Sequence, residues 1–212
     1  MKWEEFVKKM GNLAVIDTEN LLAGKGDDNS VKVQISRWLK AGRLIQLKRG
    51  IYVFAEQYTR INAFEPYIAW VLKNPSYISV EKALEYYDLI PEAVPVYCSV
   101  TTKRAGEFTS EVGTFSYRHI KKELFWGYKS ITLNKQTGFI AHSEKALLDL
   151  IYLKHIKPTL GYLEELRLQN VEKLNIDTLF EYAQRFEKPK ILRSAEVIKE
   201  YILSYKREEK TL

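Results

Sequence analysis

Apolar residues recur at helical spacing over the first ten positions, where Trp3, Phe6, Val7 and Met10 fall on one stripe of a short helix. The stretch DTENLLAGKGDDN predicts a second short helical piece, then a Gly/Asp/Asn loop from Gly24 to Asn29. From Ser30 the pattern is ambiguous, because VKVQIS alternates as a strand would. Val31, Ile35, Trp38 and Leu39 nevertheless carry one stripe on for two further turns. That favours a helix from Ser30 to Ala41, with Ser30 as its cap and Gly42 as its C-terminal stop. Two β-rich runs follow, RLIQLK and IYVFA, joined by Arg49-Gly50 in a tight hairpin. Three helices and a hairpin in this length are the layout of a winged helix-turn-helix.

Beyond the linker EQYTRIN (Glu56 to Asn62) the pattern becomes mixed. FEPYIAWVL and SVEKALEYYDLI read as helices, the second capped by Ser79. VPVYCSVTT, EFTS, TFSYRHI, SITLN and GFIAH read as short strands, with turns at Gly113 and at Lys135 to Gly138. SEKALLDLIYLKH is a further amphipathic helix capped by Ser143. Gly161–Gln169, Asp177–Phe186 and roughly Lys190–Lys206 complete a helical C-terminal part. The expected fold is α+β: a winged helix-turn-helix over residues 1–57, then a mixed α/β domain over 62–212 that ends in helices.

Charge sharpens this picture. The segment from Ser30 to Phe54 contains no acidic residue and carries Lys32, Arg37, Lys40, Arg43, Lys48 and Arg49, while the whole chain has a formal net charge of only +6. At about 100° per residue, Val31, Ile35, Trp38 and Leu39 share one side of the helix, and Val33, Ser36, Arg37 and Lys40 lie opposite. Lys32 and Gln34 flank them. This face mixes cations, a hydroxyl, an amide and a methyl-bearing side chain, the types that read base edges. Arg forks onto guanine, Gln onto adenine, and methyl groups meet thymine. Lys40, Lys48 and Arg49 suit phosphates, with Arg49 at the hairpin tip also able to enter a minor groove. The bland reading is a solvated basic face. The neighbouring helices and basic hairpin favour duplex DNA. A second basic cluster, Lys103 and Arg104 with Arg118, His119, Lys121 and Lys122, reads as loop and strand-end charge or as a second anionic contact. Arg118 and His119 alternate along a strand, so they cannot share one ligand.

The remaining composition is that of an ordinary globular chain, with 46% hydrophobic and 28% charged residues. The single cysteine, Cys98, cannot form an internal disulfide and sits in the apolar run VPVYCSV, where a buried inert thiol is expected. MKWEEFVKKM has no apolar core of a signal peptide, and no run approaches a membrane span, so a cytoplasmic protein without membrane contact is expected.

The stretch ISRWLKAGRLIQLKRGIYVF resembles the N-terminal winged helix of AbiEi-type antitoxins, the regulatory half of type IV toxin–antitoxin systems. The shared pattern is a short recognition helix, then Gly42 and Leu44, then the Arg49, Gly50 and Tyr52 turn. YISVEKALEYYDLIPEAVPVYCSVTTKRAGEFTSEVGTFSYRHI and GFIAHSEKALLDLIYL are similar to the middle domain of that family. The likeness runs from about Ser30 to Leu153 and is looser in the helical tail. It implies a repressor of its own operon with a C-terminal domain required for antitoxin activity. It also implies a neighbouring nucleotidyltransferase-type toxin, with which no stable complex is implied. Homo-oligomerisation on DNA is left open.

The enzyme classes find little support. His119, His142 and His155 are too dispersed for a metal site, Gly24 and Gly26 lack the Lys-Ser/Thr of a phosphate loop, and no cofactor is called for. Lys145 and Asp149 stand one helical turn apart, for which a surface ion pair is sufficient. Glu164 and Glu165 face different directions, and the EKL of GYLEELRLQNVEKLN lacks strand context for a nuclease site. No catalytic residue is assigned. Two alternatives remain: a winged helix used as a protein–protein docking module, and a degenerate relative of endonuclease-linked proteins of similar architecture.

Overall fold

A computed structural model describes residues 1–18 and 28–208. The chain is a mixed α+β protein with two sheets among these residues. Helix α1 (Trp3–Met10) is followed by a two-residue strand, β1 (Ile16–Asp17), which the sequence pattern did not reveal. Helix α2 (Asp28–Lys40) leads into β2 (Leu44–Lys48) and β3 (Ile51–Phe54), and the three strands form an antiparallel sheet in the order β1-β3-β2. The second helical piece and most of the Gly24–Asn29 loop lie outside the described residues. Asp28 and Asn29 are already helical, so Ser30 sits inside the first turn of α2 instead of capping it. Gly42 ends α2 as expected. Its φ of +63° admits glycine readily, and the Gly42 and Arg43 amides donate to the Leu39 (3.0 Å) and Trp38 (2.9 Å) carbonyls, closing the last turn.

Further along, α3 (Glu65–Leu72), β4 (Ser76–Ile78), α4 (Val80–Tyr86), β5 (Val96–Thr101), β6 (Gly106–Ser110) and β7 (Gly113–His119) build half of a larger sheet. It is completed by β8 (Tyr128–Leu133) and β9 (Gln136–Ala141), giving the strand order β6-β7-β5-β4-β9-β8. The short SYI strand β4, unread in the sequence, is central and fully buried, so it shows no alternation. The β8–β9 turn is Asn134-Lys135, both at positive φ, and Gly138 is a strand residue rather than part of the turn. A Cβ on Gly138 would stand 2.5 Å from the Pro66 carbonyl carbon, so this glycine lets the first turn of α3 rest on β9.

Helix α5 (Ser143–Leu153) is buried at every residue from Glu144 to Ile151. Behind it pack α6 (Leu160–Glu165), α7 (Ile176–Arg185) and α8 (Pro189–Glu208), the last through Ile191, Ala195, Ile198 and Ile202 at helical spacing. Lys145 and Asp149 do form the expected ion pair, but both side chains are 0% exposed, which overturns the surface placement. Around the pair, Tyr77 Oη (3.1 Å) and Ser79 Oγ (2.8 Å) donate to Asp149 Oδ2, and Lys145 Nζ donates to Tyr77 Oη (3.1 Å). The Lys145 ammonium also lies 4.9 Å from the Trp126 ring centre and 4.8 Å from that of Phe186. Burial lowers the Lys145 pKa, opposed by the Asp149 charge. Ser79 does precede α4, but its hydroxyl is committed to Asp149 and caps nothing. Ser143 likewise donates to Glu144 (3.0 Å), and His142 occupies the cap position of α5.

Two apolar clusters organise the chain. The smaller joins Phe6, Met10 and Ile16 to Val31, Ile35, Trp38, Leu44 and Phe54. The larger fills the second half, and Val15, Leu47, Ile51 and Val53 of the N-terminal region belong to it. The hairpin thus has one foot in each core.

Candidate nucleic-acid interface

The faces of α2 follow directly from its period. Val31, Ile35 and Trp38 are buried and Leu39 half-buried against the smaller cluster. Lys32, Val33, Ser36, Arg37 and Lys40 are exposed, with Gln34 half-buried at the flank. Val33 is 49% exposed, unusual for a β-branched residue on a helix with an apolar side available, and it stands among the cations. Trp3 supports this helix from behind, edge-on to Trp38 at 5.2 Å. The Arg43 guanidinium lies 5.2 Å from the Trp3 ring centre, so Arg43 leans on the aromatic cluster at the end of α2 and is half-buried there.

The hairpin divides its two cations. Arg49 is exposed at the turn, where Gly50 takes a φ of +86°. Lys48 is directed inward: its ammonium donates to the Leu72 carbonyl at 2.5 Å and lies 3.5 Å from that of Val71, both at the end of α3. Of the phosphate contacts expected from the sequence, Lys48 is therefore placed against protein carbonyls. The cause is a bulge in β2, where the register passes from Gln46–Tyr52 to Lys48–Ile51 and re-aims the side chain.

The second basic cluster splits as well. Lys103 and Arg104 lie beside the hairpin, in company with Lys73, which the sequence pattern did not single out. Lys73 donates to the Arg104 carbonyl (2.8 Å) and lies over the Tyr117 (5.1 Å) and Phe108 (5.6 Å) rings. Its pKa is lowered, first by burial and then by the charges of Lys48, Lys103 and Arg104. Cations from β2, the end of α3 and the β5–β6 connection thus share one patch. The only sequence signal for Lys73 was its place one residue after an apolar helix. Arg118 does not join them. It alternates with Tyr117 along β7 and stands near the Cys98 thiol, whose pKa burial pushes up. The His119 Nδ1 is 3.1 Å from the Lys103 carbonyl oxygen.

Among the described residues, no group of three or more His, Cys, Asp and Glu side chains is placed to hold a metal ion, and no helix is long and apolar enough to cross a membrane. No family model matches the chain, and no curated protein matches it significantly.

Proposed function

We propose that the protein is a sequence-specific DNA-binding transcriptional regulator whose residues 1–57 act as a winged helix-turn-helix. The observation that carries this reading is the outward face of α2, where Lys32, Ser36, Arg37 and Lys40 surround an exposed Val33 with Gln34 at the edge. A helix laid in the major groove with this face forward would set the Arg37 fork on guanine, Gln34 on adenine and the Val33 methyls on thymine. Lys40 and Arg49 would take phosphates on either side. The order α1, β1, α2, β2, β3 and the sheet order β1-β3-β2 support the winged form, because Gly42 turns α2 directly into the hairpin. Lys73, Lys103 and Arg104 extend the positive surface beyond the hairpin and would add contacts to flanking phosphates. From the likeness to AbiEi-type antitoxins we further propose that the chain represses its own operon and counteracts a nucleotidyltransferase-type toxin, without needing a stable complex with it.

The test is binding of the full chain to the duplex immediately upstream of its own gene, against a random duplex of equal length. Arg37→Ala should cost about 1–3 kcal/mol on the upstream duplex and much less on the random one. Equal affinity of the native protein for both duplexes would refute sequence-specific reading.

A further inference from the structure

Lys48 sits one residue before the exposed tip of a basic hairpin, where a phosphate contact is the ordinary expectation. Its surroundings point elsewhere. The last carbonyls of an α-helix have no partner within the helix, and that end carries the negative pole of the helix dipole. α3 ends at Leu72, and the Lys48 ammonium is the group that meets its final carbonyls, at 2.5 Å from Leu72 and 3.5 Å from Val71. The Phe108 ring centre lies 5.9 Å from the same ammonium. On either side of Lys48, Leu47 and Ile51 are buried in the larger core. Arg49, the next residue, is exposed. Arg49 is thus held between a strand whose last residue is pinned to a helix of the other half of the chain and Gly50, whose carbonyl accepts from the Thr18 amide (2.9 Å) and Thr18 Oγ1 (3.0 Å).

We propose that Lys48 is a positioning residue for DNA binding: it fastens the hairpin to the C-terminal end of α3 so that Arg49 and α2 are held in the geometry that meets the duplex, and it does not itself contact a phosphate. This rests on the DNA-binding reading above. The two roles have different signatures. A lysine that neutralises a phosphate releases a counterion on binding, so its loss flattens the dependence of log K on log salt by about one unit. A lysine that only holds the hairpin changes the fraction of molecules competent to bind. The apparent Kd then rises by the inverse of that fraction, while the bound state and its salt slope stay as they were.

The experiment uses the full chain with Lys48→Met, Lys48→Arg and Arg49→Ala. Affinity for the upstream and random duplexes is measured over a range of salt, well below each variant's melting temperature. Arg49→Ala should flatten the slope by about one unit. Lys48→Met should weaken binding roughly three- to tenfold at every salt concentration with the native slope, and Lys48→Arg should restore most of the loss. A slope reduced by about one unit in Lys48→Met would make it a phosphate ligand and overturn the proposal. Unchanged affinity in Lys48→Met, with a lowered melting temperature only, would make it a purely structural residue and overturn the proposal equally. If Arg37→Ala and Arg49→Ala also left binding unchanged, the DNA-binding reading itself would fail, a result separable from the other two.

Discussion

Replacing Lys145 by Met tests the interior of the larger half. Two charges one turn apart on a solvated helix contribute about 0.3–0.5 kcal/mol, and exposed pairs rarely exceed about 1 kcal/mol. Lys145 and Asp149 are instead 0% exposed, enclosed by Trp126, Phe186 and the β4 strand. Lys145→Met preserves the volume and apolar stem but leaves the Asp149 carboxylate buried with two hydroxyl donors among the described residues, Tyr77 and Ser79. Breaking a buried pair from one side costs about 3–5 kcal/mol, several times the surface value. Removing both charges with Lys145→Met/Asp149→Leu avoids the stranded carboxylate but orphans the Tyr77 and Ser79 hydroxyls, at about 1–3 kcal/mol each. Replacing the pair by apolar groups can itself return about 1–4 kcal/mol. The double variant should therefore be no worse than the single one, and well below the sum of the two single losses. Urea unfolding followed by tryptophan fluorescence measures this as a shift in midpoint at constant slope. A loss below about 1 kcal/mol for Lys145→Met would mean that water reaches the pair, and the buried network would be refuted.

Two further outcomes are expected. Burial raises the Tyr77, Tyr87 and Tyr117 phenols well above their ordinary range, and burial with the charges of Glu65 and Glu85 takes Tyr97 to about 12. The folded chain holds these protons while the unfolded chain releases them near pH 10, so stability should fall as pH rises through about 10; a urea midpoint unchanged between about pH 9 and about pH 11 would contradict this. A fragment of residues 1–58 should lack a cooperative thermal transition by circular dichroism, because Val15, Leu47, Ile51 and Val53 would lose part of a burial worth roughly 1.5–3 kcal/mol each. A sharp melt of that fragment would show that the smaller cluster suffices.

What the sequence disclosed and what it concealed have physical reasons. The faces of α2 were legible because a helix with one buried side repeats its pattern at every turn, and Gly42 and Arg49-Gly50 mark backbone turns that few residues accept. The strands β1 and β4 were illegible for opposite reasons: one is two residues long, and the other is buried on both faces. The serine cap failed at Ser79 because its hydroxyl is turned to the buried Asp149 carboxylate, to which it donates, and makes no bond with the first amides of α4. Lys145 and Asp149 show the limit of spacing arguments. Residues four apart meet on any helix, and the spacing is the same in water or in a core. Their burial was not signalled, since Glu144, Lys145 and Asp149 fall on one side of the helix and read as its solvated polar face. The contact of Lys48 with the end of α3 was illegible because the bulge in β2 and the partner carbonyls of Val71 and Leu72 leave no mark in the local sequence.

The position of the hairpin follows from how β2 is shared. Leu44 closes the cluster beneath α2, while Leu47, three residues on, is buried in the larger core. The five residues of β2 therefore span both clusters, with the bulge between Gln46 and Lys48 lying at the passage from one to the other. The polar segment from Glu56 to Asn62, expected as a linker, is also tied down. Thr59 Oγ1 donates to the Phe54 carbonyl at 3.0 Å, and the Gln136 side chain holds Asn62 and Phe64, donating to the carbonyl of the first and accepting from the amide of the second. A polar stretch between two patterned regions marks a change of pattern along the chain, not freedom of movement between the parts. α2 rests on the smaller cluster, and that cluster is joined to the larger half through β2 and, at Lys48, the end of α3. A substitution that shifts the end of α3 would be felt at Arg49 without touching any residue of α2.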